Sequence, residues 1–538
     1  MNVLWIMADQ LRWDYLSCYG AKHIDTPNLD WLASQGVRFN RAYVQCPICG
    51  PSRMSFYTGR YVRSHGSTLN GAPLRVGEPT LGEHLRELGV KCSLVGKTHM
   101  AADQEGMQRL GIDPGSSTGA LMSECGFEAY VRDDGENPTA SPARRSEDYE
   151  AYLRSHGMTG DNLWEEWANT GVTPEGEHVS GWMLENVCFP ARVPKEHSET
   201  AWLTTRGIEY IEAQNDQPWL CHLSYIKPHW PFMAPAPYND MYSPSDLPPV
   251  NRTRAERETD HPLLQGWMNM RMSKTYARDE IRDCVGPAYM GLIKELDDQL
   301  GRLFSFLRES GRMDDTMIVF CADHGDNMGD HWLGEKDMFY DSAARIPLLV
   351  YDPRPEADGT RGSSSDALVE GIDLAPTFLE FFGGAAKPHI LEGLSLNPIL
   401  QGQKSDWRSY CISENDFSTR PPRRANEIDQ NDARMTMVFD GRWKYVHVET
   451  MRPLLYDLLT DPQELNEIGA DPAYADQIKR LEALHFDWTR RHHTRITRDA
   501  QTVEKLTDRG PLPGVLIGYD NRESVEKDGR IFPAHVKR

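Results

Sequence analysis

Short apolar runs that end in polar residues recur along the chain, and each predicts a buried strand. Residues 3–8 lead into Asp9, and residues 316–321 lead to Asp323. Strands buried on both faces of a parallel sheet are continuously hydrophobic rather than alternating. Further strands are predicted at residues 91–96, 219–225 and 346–351. Because ligands of open α/β sheets bind at the carboxyl ends of strands, Asp9 and Asp323 are candidate functional residues.

Helices are predicted between these strands. Residues 286–307 place Ile293, Leu296, Leu300, Leu303 and Leu307 at spacings of three and four, which gives one apolar helix face. Thr26 followed by Pro27 is typical of a helix start. Other helices are predicted at residues 51–58, 81–88 and 373–379. This alternation indicates an α/β fold with a large mixed, mostly parallel sheet flanked by helices.

The composition becomes polar and rich in Pro and Arg near residues 405–430, where we place a domain boundary. Residues 435–439 and 443–448 predict a hairpin with an Asp440-Gly441 turn, followed by a strand at 454–458 and a helix at 471–490. We therefore predict a catalytic domain at residues 1–420, a small α+β domain with an antiparallel sheet at 421–500, and a tail or oligomerisation arm at 501–538.

Residues 105–195 show no sustained period and are predicted to be an irregular insertion at the substrate entrance. Within it, Asp133 and Asp134 are predicted to be solvated surface residues.

Composition and charge exclude some classes of protein. The 538 residues are 39% hydrophobic and 26% charged, as in ordinary globular proteins, and the formal net charge is −22. A nucleic-acid-binding surface needs a basic face, so we expect no nucleic acid partner. No stretch reaches the ~18 apolar residues of a membrane span. The first residues carry no basic leader, and the ten cysteines are scattered, which predicts a cytoplasmic protein with reduced thiols.

Cys46 and Cys49 form a C-x-x-C pair, which in isolation suggests a redox pair or half of a zinc site. The other cysteines stand singly, so the second ligand pair of a zinc site is missing. The sequence C-x-P-S-R at residues 49–53, extended by T-G-R at 58–60, instead resembles the signature of sulfatases in the alkaline phosphatase superfamily.

The resemblance implies a specific nucleophile and an alkaline-phosphatase-like sandwich fold. In this family a formylglycine-generating enzyme oxidises the cysteine, here Cys49, to Cα-formylglycine. The hydrated aldehyde supplies an oxygen nucleophile that forms a covalent sulfo-enzyme intermediate, and its second hydroxyl later expels sulfate. A helix opening at this motif would aim its positive end at the anion.

Other motifs match the family position by position. The resemblance implies one divalent cation held by Asp9, Asp323, His324 and an oxygen of matured Cys49. G-K-x-H at residues 96–99 and H-x-P-F at 229–232 match as well. The implied roles are charge neutralisation by Arg53 and Lys336, hydrogen bonding by Asn70, substrate contact by Lys97, sulfate release by His99 and protonation of the leaving oxygen by His229. Lys227 is left without a role.

Two positions depart from many sulfatases. Gln10 stands where a second aspartate is common, and His324 stands where asparagine is common. A nitrogen ligand and fewer carboxylates make the predicted site more suitable for Mn²⁺ than for Ca²⁺. This pattern resembles the phosphonate monoester hydrolase branch, whereas Lys97 and His99 resemble the arylsulfatase branch.

We therefore predict a formylglycine-dependent hydrolase of sulfate monoesters, of the arylsulfatase type, acting on a small-molecule ester. The alternative is a phosphonate monoester or phosphodiester hydrolase with the same nucleophile. Two other classes stay open: a two-metal phosphoglycerate mutase or phosphomonoesterase of the same fold, and a binding protein whose Cys49 stays a thiol. The family resemblance implies a homo-oligomer, either a dimer or a tetramer.

Overall fold

A computed structural model describes residues 1–135, 147–404, 406–491, 495–506 and 520–527. Its strands are short and follow the apolar runs of the sequence. They are β1 (Asn2–Asp9), β2 (Val37–Tyr43), β3 (Lys91–Gly96), β4 (Glu128–Arg132), β5 (Thr170–Val172), β6 (His178–Ser180), β7 (Trp219–Pro228), β8 (Thr316–Ala322), β9 (Arg345–Ile346), β10 (Leu348–Tyr351), β11 (Ser363–Glu370), β12 (Cys411–Asp416), β13 (Arg434–Phe439), β14 (Trp443–Val448) and β15 (Leu454–Asp457).

The helices lie between and around these strands. They are α1 (Pro27–Gln35), α2 (Cys49–Thr58), α3 (Val62–His65), α4 (Leu81–Arg86), α5 (Gln104–Leu110), α6 (Ser117–Ser123), α7 (Glu147–Ser155), α8 (Glu199–Glu212), α9 (Arg254–Arg257), α10 (Pro262–Met268), α11 (Arg271–Tyr276), α12 (Asp279–Glu309), α13 (Asp341–Ala344), α14 (Leu374–Phe381), α15 (Asn397–Leu400), α16 (Pro421–Ala425), α17 (Ala475–Arg490), α18 (Ala500–Leu506) and α19 (Arg522–Lys527). In the described ranges, none of them combines the length and apolar character needed to cross a membrane.

The large sheet is mixed and mostly parallel, as predicted. Among the described residues it has nine strands in the order β11-β2-β10-β8-β1-β7-β3-β4, with β9 paired to β2. The central strand β1 is parallel to both β7 and β8, and every residue of β1 is buried. Antiparallel pairing is confined to β9 and β10 in this sheet.

Helices cover both faces of the sheet, and the alternation of side chains along a strand decides which helix each residue meets. Trp5 of β1 stacks on His222 of β7 and contacts Phe56 of α2 and Phe378 of α14. The next residue of β7, Leu223, packs on the other face against Gly207 of α8. The core therefore lies in two layers, on either side of β1 and its neighbours.

A second, antiparallel sheet has the order β12-β13-β14-β15 and packs against α17, which confirms the predicted small sheet-plus-helix unit. The hairpin of β13 and β14 lies where the Asp440-Gly441 turn predicted it. The first strand, β12, lies within the polar stretch at 405–430. The predicted tail at 501–538 falls largely outside the described residues, which include only 501–506 and 520–527 of it.

The segment at 105–195 is less irregular than predicted. It contains α5, α6 and α7, and its strand β4 pairs in parallel with β3 at the edge of the large sheet. These elements are too short to show a clear period, because short helices gain their stability from tertiary packing rather than from propensity. The irregular interpretation was therefore wrong for these parts of the segment.

Lys444 of β14 ties the small sheet to the catalytic unit. Its Nζ is 2.7 Å from Asp341 Oδ1 and 2.6 Å from Glu464 Oε1, and it donates to the Phe339 carbonyl oxygen at 2.8 Å. The Lys444 side chain is 1% exposed, so removal of the cation leaves the buried Glu464 carboxylate without this ion-pair partner, whereas Asp341 keeps Arg345 at 3.4 Å.

We expect Lys444→Ala to lower the free energy of unfolding by about 3–5 kcal/mol, as for other broken buried ion pairs. Denaturant or thermal unfolding measures this change. The control is Lys479→Ala, at an exposed position of α17, where we expect a change within about 0.5 kcal/mol. Equal stabilities of the two variants would contradict the role of Lys444 in joining the units.

Candidate active site

Two adjacent parallel strands bring the predicted metal ligands to one edge of the sheet. Ala8 of β1 pairs with Ala322 of β8, so Asp9 and Asp323 follow at matching positions. His324 comes directly after Asp323, and all three side chains are fully buried. The carboxyl edge of the sheet therefore gathers two carboxylates and an imidazole, as the strand pattern predicted.

The helix α2 delivers the cysteine to the same place. Cys49 is the first residue of α2 and is buried, although Ile48 at the N-cap position supplies no side-chain cap. Asn70 caps the helix from outside, because its Oδ1 accepts from the Gly50 backbone N–H at 2.8 Å. Its amide nitrogen remains as a donor. The positive end of the helix thus lies at Cys49, where it favours an anion.

Arg53 lies one turn after Cys49 and joins the helix to both ligand strands. Its Nε donates to Asp323 Oδ2 at 2.7 Å, and its Nη2 lies 3.3 Å from Asp9 Oδ2. Its Nη1 donates to the Lys97 carbonyl oxygen at 2.8 Å and to Ser224 Oγ at 2.7 Å. With all these donors used inside the protein, Arg53 holds the carboxylates in place.

Asp9, Cys49, Asp323 and His324 form a compact cluster of metal-type ligands. One ligand atom from each lies within 4.8 Å of the others. His324 Nε2 is 3.0 Å from Cys49 Sγ and 3.7 Å from one oxygen of each carboxylate. Cys46 is not part of this cluster; it is buried against Ile48 and Val62.

The orientation of each side chain fits a bound cation. His324 Nδ1 donates to the Gly325 carbonyl oxygen at 2.8 Å, which leaves the Nε2 lone pair towards the cluster. Asp9 and Asp323 each have Oδ2 held by a cationic side chain, whereas Oδ1 faces His324. Two carboxylate oxygens, one imidazole nitrogen and the side chain of residue 49 could therefore hold one divalent ion.

Two lysines face the same cluster. Lys97 Nζ is 2.5 Å from Asp9 Oδ2, and Lys336 Nζ is 3.2 Å from Cys49 Sγ. Lys336 is held by Gln10, whose Oε1 accepts from Nζ at 2.8 Å and whose amide donates to Asp326. Gln10 therefore orients a cation in this structure, at the position where many sulfatases carry a second aspartate.

The electrostatics of the site favour a negative charge on residue 49. Burial by itself would raise the pKa of the Cys49 thiol. The Lys336 ammonium, followed by His324 and Lys97, instead lowers this pKa well below its usual value. An anion on the side chain of residue 49 is the species that Lys336 and Lys97 stabilise.

His229 directly follows β7 and lies beside the cluster. Its ring lies close enough to Cys49 and Asp9 to influence the pKa of each. Burial lowers the pKa of His229 to about 4; Asp9 opposes this shift, whereas Lys336 and Lys97 add to it. His229 Nδ1 donates to the Trp230 carbonyl oxygen at 2.7 Å, which leaves Nε2 for another partner.

The surroundings of the His99 side chain differ from those of Lys97. The strand β3 ends at Gly96, where φ is +112° and a Cβ would lie 2.0 Å from the Ser224 carbonyl oxygen, so only glycine fits. His99 itself has a φ of +56° and is partly exposed. In the described part of the chain, no hydrogen bond or ion pair joins the His99 ring to the metal-type cluster. The structure thus brings Lys97, but not His99, into direct contact with it.

Asp134 fixes the turn that carries His99. Its Oδ1 accepts from the Thr98 and His99 backbone N–H groups at 3.1 and 3.0 Å. The neighbouring Asp133 is buried, so the interpretation of this pair as solvated surface was wrong for Asp133. Both aspartates follow β4, a strand that lacks the continuous apolar run of β1.

Sequence reasoning missed the residues that support the site. Gln10 accepts from Lys336, Ser224 accepts from Arg53, and Asp134 accepts from the Thr98 backbone N–H. Such contacts produce no local pattern in the sequence. Their partners are distant in the sequence. Asp134 follows a strand, so it is the one of the three that the rule applied to Asp9 could have found.

Comparison with known proteins identifies the family. The sulfatase family model matches residues 1–385, and a model for the C-terminal part of N-sulphoglucosamine sulphohydrolase matches residues 329–488. The chain therefore belongs to the sulfatase family, in the alkaline phosphatase superfamily, and is a hydrolase. The family and the enzyme class predicted from the Cys49 motif are confirmed.

Relatives from both branches resemble the whole chain. A multifunctional alkaline phosphatase superfamily protein, PehA, from Trinickia caryophylli is 32% identical over 533 residues, covering 94% of this chain and 99% of that protein. An arylsulfatase from Clostridium perfringens is 28% identical, covering 90% and 93%. The solved structure of the phosphonate monoester hydrolase SpPMH from Silicibacter pomeroyi has a TM-score of 0.79 at 29% identity, covering 93% and 96%. This likeness confirms the alkaline-phosphatase-like fold.

We expect a divalent ion to stabilise the protein through the four-residue cluster. After removal of metal with EDTA, addition of Mn²⁺ or Ca²⁺ at 100 times its dissociation constant should stabilise the native protein by about 2.7 kcal/mol. Thermal unfolding measures the rise in Tm. His324→Ala should abolish the rise, whereas Asp14→Asn, which lies outside the cluster, should keep it. An equal rise in both variants would place the ion elsewhere.

Proposed function

We propose that this enzyme is a formylglycine-dependent hydrolase of sulfate monoesters, of the arylsulfatase type. The observation that carries the proposal is the position of Cys49. It begins α2, lies 3.0 Å from His324 Nε2 and 3.2 Å from Lys336 Nζ, and sits in a site that stabilises an anion. These are the surroundings that an oxygen nucleophile on residue 49 requires.

Formylglycine at residue 49 would supply a hydrated aldehyde, whose two hydroxyls are suited to attack on sulfur and to the later release of sulfate. The surrounding side chains prepare both events. Lys336 neutralises charge on the attacking oxygen, and the start of α2 adds the positive end of the helix. Lys97, beside Asp9, lies where a sulfuryl oxygen would need a cation.

The metal site belongs to the same proposal. Asp9, Asp323, His324 and the side chain of residue 49 would hold one divalent cation, and this cation would supply Lewis-acid stabilisation of sulfuryl oxygens. The imidazole ligand, and the use of Gln10 by Lys336, favour Mn²⁺ over Ca²⁺. Arg53 holds both carboxylates in orientation through ion pairs.

Proton transfers fall to two histidines. His229 has Nδ1–H engaged by the Trp230 carbonyl oxygen, so its imidazolium form would carry a second proton on Nε2, give that proton to the leaving oxygen and return to the neutral Nδ1–H ring. His99 would act as the base that releases sulfate, from the turn that Asp134 holds. Asn70 would donate its amide N–H to the substrate, since its oxygen is used by Gly50.

Hydrolysis of phosphonate monoesters or phosphodiesters is the second candidate function. His324 as a ligand and Gln10 beside Asp9 favour it, as does the likeness to structures of phosphonate monoester hydrolases from Silicibacter pomeroyi and Agrobacterium radiobacter. The same nucleophile and metal ligands would serve both reactions, because the two transition states place similar charge on the transferred group.

The nucleophile is tested by mass spectrometry of the peptide that contains Cys49. In protein from the native host, or made together with a formylglycine-generating enzyme, we expect the mass change of CH₂–SH replaced by CHO. Cys46, in the same peptide, should keep its thiol and serves as the internal control. An unmodified thiol at Cys49 in fully active protein would contradict the formylglycine mechanism.

The branch is tested by two variants. We expect Lys97→Ala and His99→Ala to slow aryl sulfate turnover by roughly 10²–10⁴-fold, as for loss of acid–base groups, and phosphonate monoester turnover far less. Steady-state kinetics with 4-nitrophenyl sulfate and 4-nitrophenyl phenylphosphonate measure the two losses. Because Lys97 also pairs with Asp9, His99→Ala is the cleaner variant. Equal losses for both substrates would support the phosphonate function instead.

A further inference from the structure

Lys227, near the end of β7, is a buried lysine that the proposed mechanism does not use. Its side chain is 7% exposed. The ammonium donates to the carbonyl oxygen of Pro231 at 2.7 Å and lies 3.4 Å from that of His229. Both acceptors belong to the segment that carries His229 into the active site.

This segment has few backbone donors of its own. Pro228 and Pro231 have no N–H group, so neither can hold the segment by a backbone hydrogen bond. The His229 N–H is used in a turn to the Ile226 carbonyl oxygen at 3.0 Å. Lys227 Nζ therefore supplies donors to two carbonyl oxygens of a segment that has few N–H groups.

Lys227 positions the carbonyl group that accepts the hydrogen bond from the His229 imidazole. The Trp230 carbonyl oxygen, which accepts from His229 Nδ1 at 2.7 Å, lies between the two carbonyl groups that Lys227 contacts. Fixing the carbonyls on both sides fixes the direction of the one between them. That direction sets the rotation of the His229 ring and holds one proton on Nδ1, so the proton that the imidazolium form would transfer lies on Nε2.

The charge of Lys227 has no paired carboxylate in the described part of the chain. Glu199 and Glu295 lie near enough to influence it, but neither forms an ion pair with its ammonium. Burial lowers the pKa of Lys227 to about 8, although Glu199 and Glu295 oppose the shift. A buried ammonium without a paired carboxylate is costly for folding. The presence of this buried ammonium beside the candidate active site indicates a role other than stability.

We propose that Lys227 is a positioning residue, which holds residues 229–231 so that His229 Nε2 faces the leaving-group oxygen. The proposal rests on the proposed function in assigning the proton transfer to His229. It concerns Lys227 alone, and it predicts that this lysine matters where the leaving group needs a proton.

Kinetics with two leaving groups test the proposal. Phenyl sulfate has a poor leaving group that requires protonation, whereas 4-nitrophenyl sulfate has a good one. We expect Lys227→Met, which keeps the apolar stem, to lower kcat for phenyl sulfate by roughly 10- to 100-fold, as for a misplaced catalytic group. For 4-nitrophenyl sulfate the loss should stay below about threefold, with KM little changed. If phosphonates are turned over faster, the corresponding phenylphosphonate esters replace the sulfates.

The double variant separates positioning from a general structural role. His229→Ala alone should show the same dependence on the leaving group. In the His229→Ala background, Lys227→Met should lower kcat for phenyl sulfate by less than about threefold, because coupled residues are not additive. A loss by Lys227→Met that is equal for both substrates, or fully additive to that of His229→Ala, would overturn the proposal.

A structural measurement decides the matter independently of activity. The crystal structure of Lys227→Met should show the 229–231 segment moved and the His229 ring turned away from residue 49, with the ligand cluster unchanged. An unmoved His229 would overturn the proposal even if the proton-transfer role of His229 held. If His229→Ala shows no dependence on the leaving group, the proposed proton transfer fails, and the crystal structure still tests Lys227.

Controls exclude a loss of folding. Lys294→Met removes a lysine of α12 that pairs with Asp298 at 2.7 Å, away from this segment, and should leave both kcat values unchanged. If Lys227→Met does not fold, Lys227→Gln keeps a side-chain donor and should show the same leaving-group dependence in weaker form. Equal turnover of both substrates by Lys227→Gln and the unmodified protein, with an unmoved His229, would also count against the proposal.

Discussion

The active site depends on one buried guanidinium group. Arg53 donates to Asp9 and Asp323, which end or follow two neighbouring strands, and it lies one turn after Cys49 on α2. It therefore fixes the distance between helix and sheet at the candidate site. Each carboxylate directs Oδ2 to Arg53 and Oδ1 towards His324, so one side chain orients both carboxylates, and Lys97 adds a second ion pair to Asp9.

Local charge, rather than net charge, suits the site to an anionic substrate. The chain carries a formal charge of −22, yet Lys97, Lys336 and the start of α2 converge on residue 49. In a buried site these cations act at short range, where screening by salt and water is weak. The distant surface acids affect long-range steering, whereas the neighbouring lysines decide which species is stable on residue 49.

Much of the site could be predicted from the sequence, because its ligands follow local patterns. Asp9 and Asp323 end apolar runs, and parallel strands deliver their ends to one edge of a sheet. The ligand cluster of Asp9, Cys49, Asp323 and His324 is the one that the motif and the strand pattern predicted. The strands β1 and β8 and the long helix α12 were likewise visible as continuous or periodic apolar positions.

The sequence by itself determined the family and the layered α/β fold, and it predicted the residues of the candidate ligand cluster, since each depends on short motifs or on the hydrophobic period. Only the tertiary structure decided what holds them. It placed Gln10 on Lys336, brought Lys97 but not His99 to the cluster, and set Lys227 against the carbonyl groups beside His229. These contacts join residues through backbone turns and packing, and the direction of a side chain after a strand ends is set by φ and by its neighbours rather than by spacing along the chain.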